Sequence, residues 1–201
     1  MTLFFHYSLY GFANVYLVGN DETGEAIIVD PAAFTTGLLS FIEDKGYDVR
    51  AVLLTHNHLH HVKGLRTLLK IYDAEVFSSN AIVEEAPCRV VHNGETFEAC
   101  GILVQALSVP GHSADSMVYR MGKLLFTGDT LHAGLIGRTA SKYGRGLLKD
   151  QLSQKVFSLS DDSIVLPGHG PPSSVGAERL FNVGYRNTER EEREERYEFF
   201  V

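Results

Sequence analysis

Four histidines fall within six positions of this sequence, a spacing that indicates metal binding or catalysis. They are His56, His58, His60 and His61, and they directly follow the apolar run at residues 51–54. Neutral imidazole is a common metal ligand, whereas a cluster of protonated rings would repel itself. The cluster therefore favours a metal site. The alternatives are a solvated histidine-rich loop and a catalytic motif with one exchanged residue.

Three later segments each place a polar residue beside glycine, where a short apolar segment ends. They carry His112 in "VPGHS", Asp129 in "FTGDT" and His169 in "LPGHG". Loops at strand ends often converge on one functional site. Each segment alone is a weak signal, because an isolated aspartate there is usually a turn or cap residue. Together with the histidine cluster, they predict one shared metal centre.

The elements that must position these residues are short strands and amphipathic helices in mixed order. Apolar spacing and turn residues predict strands at 12–18, 26–29, 50–54 and 164–166, and several short strands between 74 and 126. Helical spacing is found at 35–45, before Gly46, and again at 62–71 and 146–159. The histidine cluster thus lies on a strand-to-helix turn, with His61 at the helix start. There the helix dipole is expected to lower the pKa of His61 and favour the neutral ring.

Composition restricts the class of protein. The 201 residues are 44% apolar with a formal charge of -7, which predicts one domain spanning residues 1–201 and no surface for nucleic acid. The N-terminal residues lack the pattern of a secretory signal, and no apolar run approaches the roughly 20 residues of a membrane span. We therefore expect a soluble cytoplasmic protein. In a reduced compartment, Cys88 and Cys100 are expected to be small buried residues rather than a disulfide.

The C-terminal tail is nearly all charged between residues 186 and 198. Glu189 precedes Arg193 by four positions and Glu192 precedes Arg196 by four, which favours an exposed charged helix at about 186–198. We interpret it as a solvated terminal helix, with a partner-binding role as the alternative.

The ordered set of motifs resembles the metallo-β-lactamase superfamily, and within it the small glyoxalase II-like (hydroxyacylglutathione hydrolase-like) hydrolases. The resemblance runs from about Phe12 to Arg179 and includes Asp30-Pro31 and the stretches "ANVYLV", "TGDTLHAGLIGRT" and "LPGHGPPSSVGAER". It implies an α+β fold, a four-layer αββα sandwich. The metals would lie at one edge, between the two sheets.

The family motif His-x-His-x-Asp-His also implies a ligand set. His56, His58 and His112 match the ligands of one ion. His61 and His169 match two ligands of a second ion, and Asp129 matches the bridging carboxylate. The departure is His60, which stands where the family has aspartate. If His60 binds, the second site holds three histidines; if it turns away, only His61, His169 and Asp129 remain there, and one tight ion, or one tight and one weak, is expected.

This resemblance implies one or two divalent ions per chain, and the donor set favours zinc while leaving iron and manganese open. The implied activity is hydrolysis by a metal-bound hydroxide, with Asp129 and His60 as the catalytic residues. A thiolate leaves with little protonation, so a thioester such as an S-2-hydroxyacylglutathione is the expected substrate. The alternatives are a mononuclear iron dioxygenase acting on a glutathione persulfide and a metal-binding protein with a degraded site.

Substrate contacts are expected in the segment after Asp129. His132 stands where the similar hydrolases commonly carry an apolar aromatic, and Arg138, Lys142 and Tyr143, with Arg145, could contact an acidic thiol carrier. A pocket-wall histidine and a solvated loop explain these residues about as well. The expected partner is a small-molecule thioester, without nucleic acid or membrane, bound to a monomer or homodimer.

Overall fold

Two mixed six-stranded sheets dominate the molecule, which a computed structural model describes for residues 1–186. The first sheet has the strand order β1-β2-β3-β4-β5-β8, in which β1 to β3 are antiparallel and the later pairs are parallel. Its strands are β1 (Thr2–Tyr7), β2 (Asn14–Gly19), β3 (Glu25–Val29), β4 (Asp48–Leu53), β5 (Glu75–Ser78) and β8 (Arg89–Val90).

The second sheet has the order β16-β15-β12-β11-β10-β9, with β12 and β15 parallel and the other pairs antiparallel. Its strands are β9 (Thr96–Ala99), β10 (Ile102–Ser108), β11 (Met117–Met121), β12 (Leu124–Gly128), β15 (Ile164–Pro167) and β16 (Ser173–Ser174). Two small antiparallel pairs complete the described strands: β6 (Ile82–Val83) with β7 (Ala86–Pro87), and β13 (Leu131–His132) with β14 (Leu135–Ile136).

Helices cover the outer face of each sheet. Those beside the first sheet are α1 (Thr36–Lys45), α2 (Leu59–Val62) and α3 (Leu65–Leu68), and those beside the second are α4 (Lys142–Lys155), α5 (Val175–Phe181) and α6 (Val183–Arg186). Thr35 caps α1 by accepting from Leu38 N, and Gly46 ends it in the left-handed conformation. Ser141 caps α4 by accepting from Gly144 N.

Alternation along the strands explains the layers. On β3, Ile28 packs with the first group of helices, whereas Ile27 and Val29 face the second sheet. On β12, Leu125 packs against the second group of helices while Phe126 faces the first sheet. Because successive side chains of a strand point to opposite faces, apolar residues on both faces require cover on both. The three resulting apolar cores separate four layers, and the predicted αββα sandwich is confirmed.

The observed elements differ from the predicted ones in several places, including the following three. The helical segment predicted at 62–71 is two four-residue turns, α2 and α3, because Gly64 N donates to the Ala32 carbonyl instead of continuing one helix. The helix predicted at 146–159 begins earlier, at Lys142, because Ser141 supplies its cap. The edge strand β1 was not predicted at all.

Two further expectations concern the whole chain. The charged helix expected at about 186–198 lies almost wholly outside the described residues, and the single domain at 1–201 stays a prediction. None of the helices within residues 1–186 is long and apolar enough to cross a membrane. Cys88 and Cys100 are both free, as expected. They are half-buried, however, and not fully buried as expected.

Strand direction brings the polar segments to one edge. Asp30 follows β3 and His56 lies shortly after β4, and these two strands are parallel neighbours. Asp129 and His169 likewise follow the parallel neighbours β12 and β15. Carboxyl ends of parallel strands share an edge, where open sheets place their ligand sites. The four segments therefore meet between the two sheets.

Candidate metal centre

A first group of possible ligand atoms lies on His56, His58, His112 and Asp129, all within 4.8 Å of one another. His58 Nδ1 and His112 Nε2 are 3.0 Å apart. Asp129 Oδ2 lies 3.8 Å from His56 Nε2 and 3.7 Å from His112 Nε2. Three imidazoles and one carboxylate are the donors of a four-coordinate site for zinc or a similar ion.

A second group shares Asp129 and adds His61 and His169. Asp129 Oδ1 lies 3.3 Å from His61 Nε2, and Asp129 Oδ2 lies 3.5 Å from His169 Nε2. The backbone comes close here, since a Cβ at Gly168 would lie 2.6 Å from both Asp129 Oδ1 and His61 Cε1. The second group therefore offers three donors, and one of them is shared with the first.

The unpaired polar atoms fit a bound cation. His56 Nε2, His61 Nε2 and Asp129 Oδ1 are buried without a hydrogen-bond partner in the described chain. Leaving such atoms unpaired costs about 1–3 kcal/mol each, and ligation by a divalent ion would satisfy all three. The residues present thus fit one or two metal ions. Imidazole and carboxylate donors of this kind suit zinc, iron and manganese.

The other nitrogen of four of the five ligand rings contacts the surrounding chain. Fixing that nitrogen sets the tautomer and aims the ligand nitrogen at the metal. The contacts are His56 Nδ1 with Thr55 Oγ1 at 3.0 Å, His61 Nδ1 with Asp30 Oδ2 at 3.1 Å, His112 Nδ1 with the Arg138 carbonyl at 2.8 Å, and His169 Nδ1 with the Phe12 carbonyl at 2.9 Å.

Asp30 is a functional residue that the sequence analysis quoted only as part of a resemblance. Its carboxylate accepts from Thr55 N at 2.8 Å and Thr55 Oγ1 at 2.6 Å besides contacting His61. The side chain is buried, and φ is +50°. Positive φ is uncommon for a non-glycine residue, although aspartate adopts it more readily than most. The Asp-Pro pair after an apolar strand was the available signal.

Charge in the centre is divided between the rings. Burial, with repulsion from His61, lowers the pKa of His56 to about 3. Burial also acts to lower the pKa of His61, but the carboxylates of Asp30 and Asp129 outweigh it and raise that pKa to about 10. The expectation that a helix dipole lowers the pKa of His61 is therefore wrong: the two carboxylates dominate, and His61 is the third residue of a four-residue helix.

Asp129 remains the ionised partner of the cluster. Burial would raise the pKa of its carboxyl, but the close contact and charge of His61, with the charges of the neighbouring histidines, hold that pKa far below its usual range. A bound ion would compete with the proton on His61 Nε2. The centre thus holds an ionised carboxylate that favours a cation.

His60 does not join either group, which differs from its prediction as a ligand. It is exposed, and its ring lies 5.9 Å from the ring of Tyr10 with an interplanar angle of 45°. Consecutive residues of a helical turn point about 100° apart, so with His61 buried in the centre, His60 is directed elsewhere. The structure therefore gives no support to His60 as a metal ligand or a catalytic residue.

His132 lies beside the second group. Its ring stacks on that of His169, with centroids 6.1 Å apart and an interplanar angle of 22°, and its Nδ1 is 3.3 Å from the His169 carbonyl. Burial lowers the pKa of His132. Both rings line a cavity of about 330 Å³ whose other walls are Ala133, Leu135, Ile136, Arg138, Gly170 and Pro171.

The remaining predicted substrate residues divide between this cavity and solvent. Arg138 lines the cavity and also a neighbouring groove of about 600 Å³, which Arg145 lines as well. Lys142 and Tyr143 line neither of these two and are exposed in the first turn of α4, not in a loop as predicted. Of the predicted set, His132 and Arg138 are therefore the ones placed next to the metal centre.

Asp115 is a second residue that holds the ligand set in place, and the sequence did not single it out. Its Oδ2 accepts from Asn57 N at 2.8 Å and from Asn80 Nδ2 at 2.7 Å, so it ties the loop of His112 to the backbone between His56 and His58. Burial would raise the pKa of this carboxyl, but hydrogen bonds from Ser113, Asn57 and Asn80 lower it. Asp115 thus fixes the spacing of the first ligand group.

Replacing Asp115 with alanine is expected to weaken the first metal ion by about 10–100-fold, the usual cost of losing a supporting contact. Competition with a coloured chelator would measure the affinity. Asp73→Ala removes a carboxylate whose partner Arg50 is exposed and should leave the affinity unchanged. Equal affinities of the two variants would contradict this role.

Comparison with known proteins agrees with this geometry. A family model described as the metallo-beta-lactamase superfamily matches residues 10–87. The hydroxyacylglutathione hydrolase GloC of Haemophilus influenzae is 31% identical over 195 residues, which covers 84% of this chain and 91% of that protein.

Two solved structures extend the similarity to three dimensions. ETHE1 from Myxococcus xanthus superposes with a TM-score of 0.85 at 28% identity, covering 96% of this chain and 88% of that one. TTHA1623, solved in a di-iron-bound form, superposes with a TM-score of 0.77 at 26% identity, covering 90% and 98%. Each aligns with nearly the whole chain.

Proposed function

The chain belongs to the metallo-β-lactamase superfamily and is related to its hydroxyacylglutathione hydrolases, and we propose that it is a metal-dependent hydrolase that cleaves small thioesters, acting on an S-2-hydroxyacylglutathione or a similar thiol ester. The observation that carries the proposal is the pair of ligand groups around Asp129, in which three buried atoms have no hydrogen-bond partner within residues 1–186. Catalysis of this class needs such donors at an accessible edge.

The metal ion would supply an acidified water and a Lewis acid for the substrate carbonyl. The chain's own residues hold the ligand set: His56, His58 and His112 on one side of Asp129, and His61 and His169 on the other. Asp30 and the Phe12 carbonyl fix the rings of the second group. Because a bound ion would supply the attacking water, the arrangement would need no side-chain nucleophile.

The leaving group favours a thioester over an amide. A thiol with a pKa near 8.5 departs as thiolate with little protonation, whereas an amine needs a proton in the transition state. At the position of His60 the family motif has an aspartate, which would handle protons. His60 itself lies outside both ligand groups. A reaction that does not depend on such a proton transfer suits this centre better.

The cavity beside His169 supports a small acidic substrate. Its walls are largely apolar, with Arg138, His132 and His169 as the charged or polar side chains. A guanidinium binds a carboxylate in two parallel hydrogen bonds. We place the acyl group near the metal centre and a carboxylate of the thiol carrier near Arg138. A cytoplasmic location and a monomer or homodimer remain part of the proposal.

Hydrolysis of S-lactoylglutathione by protein loaded with zinc, iron or manganese tests the function. We expect turnover that is lost on chelation and restored by metal. Turnover is measured as thiol release, which a chromogenic disulfide detects. Arg138→Ala should raise KM more than it lowers kcat, whereas Arg66→Ala, on the exposed ion pair with Glu85, should change neither.

The same preparations separate the alternatives. Oxygen uptake with glutathione persulfide by the iron form, without thioester hydrolysis, would identify the dioxygenase instead. Stoichiometric metal with neither activity would identify a metal-binding protein with a degraded site. Elemental analysis of untreated protein gives the metal identity and the number of ions per chain.

A further inference from the structure

A loop at residues 8–12 packs directly on His60. Gly11 has φ +64°, and a Cβ added there would lie 2.6 Å from His60 Cγ, so the imidazole fills the space that a side chain would need. Tyr10 lies against the same imidazole. Lys63, one turn further along, places Nζ 4.0 Å from the centre of the Tyr10 ring. His60 and Lys63 thus hold the loop tip between them.

The same loop reaches the metal centre at its other end. Phe12 has φ +54°, a conformation that bulky residues rarely adopt, and its carbonyl oxygen is 2.9 Å from His169 Nδ1. Asn14 Nδ2 donates to the carbonyls of Pro167 and Gly170, which flank the segment of His169. The orientation of the His169 ring therefore depends on where this loop lies.

We propose that His60 is a positioning residue for His169, acting through Gly11 and the Phe12 carbonyl and not through a bond to metal. The shape of the ring supports the loop, and its nitrogens are not required. The proposal rests on the metal centre of the proposed function and assigns a new role to the residue that replaces the family's aspartate.

The second ligand group makes this support important. It has three donors, His61, His169 and the shared Asp129, and the missing aspartate removes one anionic donor. A site with few donors depends strongly on holding each in place. We therefore expect one tightly bound ion in the first group, and a second, weaker ion whose affinity depends on the loop.

Two substitutions at His60 separate shape from ligation. His60→Phe keeps an aromatic ring against Gly11 and Tyr10, while His60→Ala removes it. Titration of the metal-free protein with Co²⁺, followed by absorption and calorimetry, should show the second ion unchanged in His60→Phe and weakened about 10–100-fold in His60→Ala. The first ion should be unchanged in both. Equal loss in both variants, or in neither, would overturn the proposal.

Gly11 supplies an independent check on the same contact. Gly11→Ala places a methyl group inside the His60 ring and should displace it, so the second ion should bind about 10-fold more weakly, at the low end of such losses. In the His60→Ala background the same change should cost much less. Strictly additive effects on the second ion would contradict the coupling.

The metal titration also separates this proposal from the proposed function. If two ions bind in two stages and the His60→Phe and His60→Ala variants differ as expected, but no thioester is hydrolysed, the role of His60 is supported. The thioesterase proposal is then overturned. Hydrolysis with no difference between Phe and Ala does the reverse. Failure to bind any divalent ion would overturn both.

Discussion

Asp129→Asn is expected to abolish binding of the second ion, to weaken the first, and to reduce kcat/KM by about 10³-fold or more, beyond the 10–100-fold that a supporting residue costs. Asp129 is the one residue shared by both ligand groups, and it is the only anion among their donors. An asparagine keeps the volume but presents a neutral amide to five imidazoles. Elemental analysis and S-lactoylglutathione kinetics measure the two effects.

Asp162→Asn provides the control for this experiment. Asp162 is an exposed acid just before β15, at the end of the strand away from His169, and it pairs with Lys123 at the surface. Its substitution should leave metal content and kcat/KM unchanged, because surface ion pairs contribute about 0–1 kcal/mol. An Asp129→Asn protein with full metal content would contradict the assignment of the shared carboxylate.

The side chains of the centre were accessible to sequence reasoning because each follows an apolar strand. His56, Asp129 and His169 lie at strand ends, the last two beside glycine, and the parallel pairing of their strands brings them together. Six of the seven predicted ligands fall into the two groups. Their role as ligands of an ion stays a prediction until metal is measured.

The supporting atoms were not accessible in the same way. The carbonyls of Phe12 and Arg138 hold two ligand rings, and backbone atoms leave no trace in residue type. The break between α2 and α3 comes from Gly64 bonding to the distant Ala32, which local periodicity does not report. His60 packs against a loop fifty residues earlier in the chain, a contact that the local sequence does not report.

The backbone conformations of Phe12 and Asp30 were likewise not predictable from residue type. Phe12 and Asp30 both have positive φ, and both contact a ring of the second ligand group. Such conformations persist only where the surrounding structure enforces them. Two of the six non-glycine residues with positive φ among the described residues thus hold rings of the second ligand group.

Asp30→Ala is expected to lower the free energy of unfolding by about 3–5 kcal/mol, the cost of breaking one partner of a buried ion pair. Asp30 is 2% exposed, and its loss would leave Thr55 N, Thr55 Oγ1 and His61 Nδ1 without their acceptor. The second metal ion should also weaken by about 10–100-fold, because His61 loses the contact that aims its Nε2. Denaturant unfolding and Co²⁺ titration measure the two losses.

Two matched variants separate backbone strain from side-chain contacts at this position. Asp30→Gly removes the same carboxylate but accepts φ +50°, so it should be about 1 kcal/mol more stable than Asp30→Ala. Asp30→Asn tolerates this φ and still accepts from Thr55 N, so it should lose less stability than either, yet bind the second ion as weakly. If the Asn variant binds that ion as tightly as the unaltered protein, the charge of Asp30 has no part in orienting His61, and the shape of its hydrogen bonds alone sets the ring.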